Sequence, residues 1–584
     1  MKYVESGTSY SHSVDYTYDT LNRLTQLVES INGLEHTTSY TYDDDNRVTE
    51  IVNGNVSVTY TYDEYGRVAQ KSIGSITFVY EYSTTEDGSP SNQISRQRML
   101  INGVTQTGSY LYTYDDNGNI KAINDYGTIN TYLYDDANQL IRENNPTAGK
   151  TWIWTYDNAG NIVQRREYAY TTGALGVVLE TVNYTYDDSQ WGDLLTSYGG
   201  AELEYDGIGN LIEDSQNVYV WEHGRELTSM ANSSVTWSFT YDANGMRTSR
   251  TNGTTTYQYV YTGTKLTQMT VGSNVLYFTY DAAGNPATVT LNGVTFVYTT
   301  NPQGDVTAIY TPSGALVCYY FYDAWGNITY SRNMNSNYAI YDLNPLTYRG
   351  YVYDSETGLY YLQSRYYNPE WGRFLNADSF VSTGGILGNN MFAYCGNNPV
   401  AFGDPSGHAR VGSLNRDVCS TLYDNGLGGG GGGAGGGGGI SILYVTFELL
   451  DDVAAGVIAV ATTMIATIQE RTHHVYILRD PDNNLVKYVG RTNDPIRRAA
   501  EHKRDPKHLE RQKYEMTVIM SGLTLDEAKL YEQSLISAYT VSYLDNARRE
   551  ISRKNMDKFK EYLCAAAELY CVAQEDLWEL LGRT

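Results

Sequence analysis

Cysteine is scarce in this sequence, and the cysteines present are poorly placed for shared chemistry. Five occur in 584 residues, at Cys318, Cys395, Cys419, Cys564 and Cys571. No two of them form a C-x-x-C pair, so a zinc-ribbon or redox motif is excluded. The spacing instead predicts free, buried thiols.

Phenylalanine and proline are also few, with 11 and 12 residues, whereas tyrosine reaches 57. A tyrosine side chain joins an apolar ring to a polar tip, which suits the half-buried faces of strands. The composition therefore predicts a β-rich fold and argues against disorder. A length of 584 residues also predicts two or more folding units.

No apolar stretch is predicted to span a membrane. The uninterrupted part of the most apolar segment, Val453 to Ile468, has 16 residues, whereas a spanning helix needs roughly 20. Two interpretations remain, a packed helix and an aid to membrane passage, and the packed helix is favoured. The opening MKYVESGTSY has no apolar h-region, so no signal peptide is expected, and the chain is exported by another route or belongs to a longer protein.

Basic residues are scarce in the first four fifths of the chain. Residues 1–470 hold 22 Lys or Arg against 49 Asp or Glu, and residues 471–584 hold 19 against 18. A nearly pure glycine tract, Gly426 to Gly439, precedes this change and predicts a flexible tether. The sequence therefore predicts two differently built parts.

Tyr-Asp pairs recur through the first two thirds of the chain. The pairs begin at Tyr18, Tyr42, Tyr62, Tyr114, Tyr134, Tyr156, Tyr186, Tyr205, Tyr241, Tyr280 and Tyr322. Three residues after the Asp stands Gly in seven cases and Asn in three, and the Tyr186 repeat departs with Gln190. The Asp is expected to open a tight turn, and the Gly or Asn can adopt the positive φ needed at its end. Each repeat is therefore predicted to form a strand, a turn and a second strand. Such hairpins predict one continuous antiparallel sheet, curved to hide its edges.

The repeats resemble those of the Rhs and YD-repeat family. The resemblance becomes specific at YRGYVYDSETGLYYLQSRYYNPEWGRFLNADSF, from Tyr348 to Phe380, and at NNPVAFGDPSGH, from Asn397 to His408. Together with the repeats it covers about residues 10–408. It implies a hollow all-β shell of antiparallel hairpins around a C-terminal passenger.

In that family an aspartyl self-cleavage releases the passenger after the closing motif. When the family's motifs are carried over by position, the candidate carboxylates are Asp378 and Asp404, and the cut follows His408. Many members of the family have Leu in place of His408. Two carboxylates that share one proton can supply an acid and a base. The alternative is that Asp404-Pro405 is only a turn and Asp378 only a strand-end cap.

The basic segment begins with a hairpin signature. HVYILRD and LVKYVGR flank PDNN, and a three-residue loop from Pro481 to Asn483 would place Tyr476 opposite Tyr488. Asp494 followed by Pro495 predicts a helix start.

Further basic and acidic side chains follow on two predicted helices. Arg498 and His502 are four residues apart on the first, so they share a face. EMTVIMSG predicts a third strand, and TLDEAKLYEQSLISAY, with a capping box from Thr524 to Glu527, predicts the second helix. Glu532 lies on its apolar face and is costly to bury without a metal ion or a basic partner.

This pattern resembles the GIY-YIG nuclease family over residues 473–546, with His474 and Val475 in place of Gly and Ile. The resemblance implies a small α/β domain that hydrolyses phosphodiesters with one divalent metal, Mg²⁺, held by Glu532. Tyr476 or Tyr488 would help to deprotonate water, Arg498 would stabilise the transition state, and His502 would move protons. Arg491 would contact phosphate. Asn546 would match a polar family residue or else cap a helix.

The predicted domains are residues 1–340, the YD-repeat β-shell; 341–408, the core region with its closing motif; 409–470, the linker and apolar segment; and 471–584, the nuclease. The resemblances imply a secreted or contact-delivered toxin that cuts nucleic acid, with DNA favoured, in the cytoplasm of a competitor cell. They also imply a cognate immunity protein and delivery machinery. The alternatives are a sugar-binding adhesion protein with a vestigial C-terminus and an intracellular repair or mobility nuclease.

Overall fold

The structure, a computed structural model, describes residues 2–6, 11–85, 88–106, 108–379, 389–412, 473–479, 486–492 and 515–523. The chain divides into two compact units. One comprises residues 1–379 and 390–436, and the other comprises residues 380–389 and 437–584.

The first large sheet of the first unit has 19 strands. Its first eleven are β1 (Lys2–Ser6), β2 (Ser11–Tyr18), β3 (Leu24–Ile31), β4 (Leu34–Tyr42), β5 (Val48–Asn53), β6 (Val56–Tyr62), β7 (Val68–Ile73), β8 (Ile76–Thr84), β9 (Pro90–Ile101), β10 (Val104–Thr105) and β11 (Tyr110–Tyr114). The others are β12 (Ile120–Asp125), β13 (Thr128–Tyr134), β14 (Leu140–Asn145), β15 (Lys150–Tyr156), β16 (Ile162–Ala169), β17 (Val178–Thr185), β18 (Ser197–Tyr198) and β19 (Ala201–Glu202).

The second large sheet has 14 strands. They are β20 (Glu204–Tyr205), β21 (Leu211–Glu213), β22 (Val218–Glu222), β23 (Glu226–Ala231), β24 (Thr236–Tyr241), β25 (Arg247–Thr251), β26 (Thr256–Thr262), β27 (Lys265–Val271), β28 (Asn274–Tyr280), β29 (Pro286–Leu291), β30 (Val294–Thr300), β31 (Val306–Tyr310), β32 (Leu316–Tyr322) and β33 (Ile328–Asn333). In both large sheets, strands pair antiparallel in chain order except at β10, which pairs with β9, while β11 pairs with β9 and with β12.

The prediction of one continuous sheet is wrong, because the described repeats form two sheets. The break follows the irregular Tyr186 repeat, where β18, β19 and β20 have only two residues each. Strands this short offer few ladder hydrogen bonds, so pairing ends after β19 and starts anew at β20. The all-β, antiparallel character of the repeats is confirmed.

The remaining elements of the first unit are short. A four-stranded sheet contains β34 (Val352–Asp354), β35 (Leu359–Tyr361), β36 (Tyr366–Asn368) and β37 (Arg373–Phe374), and a two-stranded sheet pairs β38 (Phe402–Gly403) with β39 (Val411–Gly412). One α-helical turn, α1, spans Ile340–Leu343, and single 3-10 turns lie at Tyr348–Gly350 and Cys395–Asn397.

The Tyr-Asp pairs open tight turns, as predicted. In the Tyr62 repeat, the Asp63 carboxylate accepts the amides of Tyr65 and Arg67 at 3.0 and 2.9 Å, and Gly66 has a φ of 79°. Asn22, Asn46 and Asn138 also adopt positive φ. The turn is therefore set by side-chain to backbone bonds within five residues.

The tyrosine of most Tyr-Asp pairs also bonds to the preceding repeat. The hydroxyl of Tyr62 donates to the carbonyl of Val48 at 2.6 Å, and Val48 directly follows the previous Tyr-Asp turn. The guanidinium of Arg47, from that previous turn, stacks 4.6 Å from the Tyr62 ring centroid. Equivalent hydroxyl bonds are made by Tyr42, Tyr114, Tyr134, Tyr156, Tyr241, Tyr280 and Tyr322, and also by Tyr82, which is followed by Ser83 and not by Asp.

A continuous apolar core joins the two large sheets and the short strands that follow. Buried polar contacts cross between the large sheets as well. Lys71 of β7 pairs with Asp281, which follows β28, at 2.7 Å. The hydroxyl of Tyr60 accepts the amide of Ala282 at 2.8 Å. Cys318 and Cys395 are free and buried, as predicted.

In the second unit the structure describes three antiparallel strands. They are β40 (His473–Arg479), β41 (Val486–Thr492) and β42 (Glu515–Leu523), with β40 in the centre. These strands agree with the three predicted from the sequence.

Several predictions concern residues outside the described part of the chain. They include the glycine tract at 426–439, the apolar segment at 440–468, both helices of the C-terminal domain, and Cys419, Cys564 and Cys571. Within the described part, none of the helices has the length and apolar character needed to cross a bilayer.

Candidate functional site

The closing motif forms a tight loop that packs against the segment around Arg365. Gly407 has a φ of 75°, and a side chain there would lie 2.5 Å from the carbonyl oxygen of Leu362. Ser364 Oγ donates to the Ser406 carbonyl at 2.7 Å, and Arg365 Nε donates to the Gly407 carbonyl. Only glycine fits at position 407, so this residue sets the path of the chain into His408.

The structure brings Asp378 and Asp404 together around one guanidinium. Nη2 of Arg365 lies 3.0 Å from Oδ2 of Asp378 and 3.3 Å from Oδ2 of Asp404. Both aspartates are buried, at 5% and 3% exposure. The imidazole Nδ1 of His408 lies 2.7 Å from Oδ1 of Asp378. A buried cluster of two acids, one arginine and one histidine therefore surrounds the end of the closing motif.

Asp404 lies directly against the bond that the sequence predicts to be cut. Its Oδ1 accepts the amide of His408 at 3.0 Å and the amide of Ala409 at 3.1 Å. These two amides flank the His408 carbonyl. The Asp404 amide in turn donates to the hydroxyl of Tyr351 at 2.5 Å.

Burial governs the protonation of this cluster. It raises the pKa of Asp404, and the charge of Asp378 raises it further, whereas Arg365 opposes the shift. Burial also lowers the pKa of the Arg365 guanidinium. Asp404 therefore retains its proton to a higher pH than an exposed aspartate does.

Sequence reasoning missed Arg365 and Tyr351, and it treated His408 only as the residue before the cut. A lone arginine among the tyrosines of YLQSRYY could have indicated a buried acidic partner. Nothing local indicates which acid that partner is, since Asp404 lies 39 residues along the chain.

In the C-terminal sheet, the predicted pairing of Tyr476 with Tyr488 is wrong. Tyr476 on β40 pairs with Gly490, and Tyr488 on β41 pairs with Leu478. Arg479 and Val486 form the last pair of the ladder, and the register shifts between Leu478 and Arg479. Six residues therefore connect the two strands, whereas the sequence predicted a loop of three. The two tyrosines are diagonal in the ladder.

Arg491 lies on β41, paired with Val475. The other predicted nuclease residues, Arg498, His502, Glu532 and Asn546, lie outside the described residues. In the part of the chain that the structure covers, no group of three or more His, Cys, Asp or Glu residues could hold a metal ion. Glu532, the predicted metal ligand, stays a prediction.

Two family models match the chain. The Teneurin YD-shell matches residues 124–400, and the GIY-YIG catalytic domain matches residues 472–543. The chain therefore combines a match to the YD-shell with a match to the GIY-YIG domain. The three-stranded sheet of the second unit lies within the GIY-YIG match, and strands β13 to β33 of the large sheets lie within the YD-shell match.

Curated relatives share part of this organisation. The chain is 36% identical over 223 residues to the tRNA3(Ser)-specific nuclease WapA of Bacillus spizizenii, covering 37% of this chain and 9% of the relative. It is 34% identical, with the same coverage, to the tRNA nuclease WapA of Bacillus subtilis. To the double-stranded DNA deaminase toxin A of Burkholderia cenocepacia it is 26% identical over 335 residues, 51% of this chain and 22% of the relative. The chain therefore spans less than a quarter of the length of these relatives.

The YD-repeat region also resembles solved toxin structures. The crystal structure of TcdB2-TccC3 superimposes with a TM-score of 0.53 at 19% identity, over 68% of this chain and 22% of that one. At this identity the likeness establishes a shared fold.

Proposed function

We propose that the chain is a delivered nuclease toxin, in which the shell carries the GIY-YIG domain, self-cleavage releases that domain, and the domain hydrolyses nucleic acid in a competitor cell. The observation that carries the proposal is the presence of a YD-shell and a GIY-YIG catalytic domain on one chain. The relatives named as a toxin and as nucleases support the same function. A cognate immunity protein and delivery machinery belong to the proposal as partners.

Release is assigned to the aspartate cluster at the end of the shell. Asp404 bonds to both amides that flank the His408 carbonyl, so its carboxyl group is in place to deliver a proton to the Ala409 nitrogen. Asp378, held by Arg365 and His408, is assigned as the base. Different protonation of two close carboxyl groups is the arrangement that acid and base catalysis requires.

The proposed step is hydrolysis of one peptide bond. Asp378 takes a proton from water, and the resulting hydroxide adds to the carbonyl carbon of His408. Protonated Asp404 then gives its proton to the Ala409 nitrogen, and the C–N bond breaks. The products are a carboxylate on His408 and an amine on Ala409.

Self-cleavage can be tested on the purified full chain. The parent is expected to separate into fragments of residues 1–408 and 409–584, identified by mass, whereas Asp404→Asn and Asp378→Asn stay intact. Asp206→Asn is the matched control, because Asp206 holds a repeat turn through Oδ1 and asparagine can do the same. A parent that stays whole from acidic to neutral pH, or an Asp404→Asn chain that is cut, would contradict the assignment.

The pH dependence of release follows from the raised pKa of Asp404. The acid form is present below that pKa and is lost as the pH rises through it. The rate of chain separation is therefore expected to fall towards alkaline pH. A rate that keeps rising from neutral to alkaline pH would show that Asp404 is not the acid.

Nuclease activity is assigned to the GIY-YIG domain. Tyr476 on β40 is proposed to assist deprotonation of water together with Tyr488, and Arg491 on β41 is proposed to contact phosphate. Arg498 is proposed to stabilise the transition state, His502 to move protons, and Asn546 to bind substrate. The metal of the family, with Mg²⁺ as the predicted ion, supplies charge neutralisation when bound, and Glu532 would hold it.

The substrate is proposed to be nucleic acid, with DNA as the first candidate. Residues 471–513 hold 11 Lys or Arg against 6 Asp or Glu, a net charge that favours capture of a polyanion. The relatives named as tRNA nucleases make structured RNA the second candidate.

The nuclease test uses the full chain with duplex DNA and with total tRNA. Glu532→Gln is expected to abolish cleavage while binding is retained, because the change removes the proposed metal ligand and leaves the basic residues intact. Glu510→Gln is the matched control, because it makes the same change of charge within the basic residues 471–513 and leaves the proposed metal ligand in place. Cutting by Glu532→Gln at the parent's rate, or in EDTA, would contradict the one-metal assignment, and the substrate that is cut decides between DNA and RNA.

A further inference from the structure

The bond that is assigned to self-cleavage lies inside a short hairpin. β38 and β39 pair antiparallel, and residues 404–410 form the loop between them. The guanidinium of Arg410 stacks 4.7 Å from the ring centroid of Phe402. The chain is therefore held on both sides of the bond between His408 and Ala409.

The side chain of His408 points back at one of the two acids. Its Nδ1 lies 2.7 Å from Oδ1 of Asp378, while its backbone amide donates to Oδ1 of Asp404 at 3.0 Å. The His408 side chain is 29% exposed, whereas Asp378 is 5% exposed. The residue that supplies the carbonyl of the bond therefore contacts both acids, one through its side chain and the other through its backbone.

The base role of Asp378 determines which atom donates in this contact. A carboxyl group that takes a proton from water must be ionised, and an ionised carboxylate only accepts hydrogen bonds. Nδ1 of His408 therefore carries the proton of the contact, in the neutral imidazole as in the imidazolium ion. A donor to the ionised form favours that form, so His408 stabilises Asp378 in the state that the base needs.

Arg365 alone does not make the two acids different. The same atom, Nη2, lies 3.0 Å from Asp378 and 3.3 Å from Asp404, so its charge acts on both carboxyl groups. Their other contacts differ, because Asp404 accepts two backbone amides and Asp378 contacts the imidazole of His408. Acid and base roles require different environments for two close carboxyl groups. The imidazole supplies such a difference on the side of Asp378.

Charged and titratable groups face Asp378 from several elements. They include Arg225, Arg365, Asp404 and His408. Arg225, in the turn between β22 and β23, donates to the Ala377 carbonyl at 2.6 Å. This bond holds the backbone next to Asp378, and the contacts with Arg365 and His408 direct its carboxylate.

We propose that His408 is a positioning residue for self-cleavage, whose imidazole keeps Asp378 ionised and directed at the end of the closing motif. The residue whose peptide bond is cut thus also prepares the base. The inference rests on the self-cleavage proposed above and adds a requirement for the side chain at position 408. The proton from water still goes to Asp378, and the imidazole neither gains nor loses one. Each carboxylate oxygen has two lone pairs, so Asp378 accepts from His408 and from water at once.

Substitutions at position 408 isolate the donor at Nδ1. Nδ2 of asparagine is as many bonds from Cβ as Nδ1 of histidine, whereas the amide of glutamine reaches the position of Nε2. In the purified full chain, His408→Leu and His408→Gln should slow separation by about 10- to 100-fold, the cost of a misplaced catalytic group, and His408→Asn should stay within about threefold of the parent. If the leucine variant does not fold, the asparagine and glutamine pair still decides, because both are polar and differ in the position of the donor.

The pH profile separates a positioning role from a role in loop stability. Since the imidazole favours ionised Asp378, its loss in His408→Gln should move the acid side of the rate profile to higher pH. The alkaline side follows Asp404 and should stay in place. His408→Asn should restore the acid side. A role confined to loop stability would lower the thermal midpoint and leave the shape of the profile unchanged.

His223→Gln is the matched control. Nδ1 of His223 lies 3.0 Å from Oε2 of Glu226 on an exposed turn, so the change removes a contact of the same kind that involves neither aspartate. It should leave the rate unchanged. A parent that stays whole would overturn the self-cleavage and this inference together. A parent that is cut, with His408→Gln matching its rate and pH profile or with His408→Asn as slow as His408→Gln, would overturn this inference alone.

Discussion

The first repeats and the core segment, residues 341–408, use arginine in opposite ways. In the first repeats, Arg23, Arg47 and Arg67 are partly exposed and pair with an aspartate four residues earlier. In the core segment, the arginines are buried and bind distant backbone. Arg373 donates to the Gly160 carbonyl at 2.7 Å, and Arg349 donates to the Gln303 carbonyl at 2.9 Å.

This difference separates two kinds of stability. A turn of the first repeats satisfies its own hydrogen bonds and contacts the neighbouring repeat, so a substitution in that turn should have a small effect. The core segment connects residues that are far apart in sequence. Removal of one buried arginine therefore leaves several buried acceptors without a hydrogen-bond donor. Four substitutions, each with a matched control, test this contrast.

The largest effect is expected for Arg247→Met. Arg247 is 0% exposed and binds Asp354 of the core segment through Nη1 at 2.5 Å and Nη2 at 2.9 Å. The variant removes the two closest ion contacts of a buried carboxylate, which keeps Arg250 at 3.4 Å, and the expected loss is about 3–5 kcal/mol in the free energy of unfolding. Urea unfolding followed by tryptophan fluorescence measures it. Arg47→Met, at a partly exposed pair, should cost at most about 1 kcal/mol, and equal costs would erase the proposed contrast.

The second effect concerns a buried carboxyl group of the repeats that has no arginine partner. Burial raises the pKa of Glu143 to about 8, and the charge of Asp323 adds to the shift. A raised carboxyl pKa stabilises the fold below the ordinary glutamate value, and this stability is lost as the pH rises through about 8. Glu143→Gln should therefore unfold at higher urea than the parent above pH 8, with the difference vanishing in acid. The exposed Glu64→Gln is the control, and parallel pH profiles for parent and Glu143→Gln would refute the assignment.

A smaller effect is expected for Gly66→Ala. Its φ of 79° is unfavourable for a side chain, with a cost of about 1–2 kcal/mol. The urea midpoint of the full chain should fall accordingly. Gly192→Ala, where no neighbour lies within 4 Å, should leave the midpoint nearly unchanged. If both variants match the parent, the turn does not depend on the left-handed conformation.

The smallest effect is expected for Tyr62→Phe. The change removes one hydroxyl bond to the preceding repeat, worth about 1 kcal/mol. The same unfolding assay should detect this loss, whereas Tyr65→Phe, at an exposed ring of the same turn, should show none. A cost above that of Arg247→Met would mean that the repeats, not the core segment, carry the long-range stability.

Local chemistry predicted the repeat units well. Asp63 and Gly66 determine their turn through contacts within five residues, which a sequence pattern contains. The hydroxyl bond of Tyr62 could not be predicted in the same way, because its acceptor lies 14 residues earlier. The break after β19 escaped prediction as well, since it depends on how few ladder bonds the short strands make.

The candidate sites also contain some features that the sequence predicted and others that depend on contacts in the folded chain. The family resemblance, carried over by position, predicted Asp378 and Asp404 as a pair, and the structure places both against Arg365. The arginine itself could not be predicted, because only the folded chain shows which acids it meets. At the C-terminal hairpin, the assumed loop length put Tyr476 and Tyr488 two positions out of register.

The hydroxyl bond between successive repeats has a consequence for how such proteins change in length. Tyr62, Tyr134 and Tyr280 reach 14 residues back, Tyr156 and Tyr322 reach 16, and Tyr114 reaches 20. For these six tyrosines the extra residues lie in longer strands and in the connections at the opposite rim of the sheet, while the five-residue turns at the Tyr-Asp rim stay the same. The irregular Tyr186 repeat, with a longer connection between β17 and β18, is the exception, and the sheet breaks shortly after it. New loops acquired during evolution should therefore accumulate at the opposite rim, while the regular Tyr-Asp turns form a fixed edge.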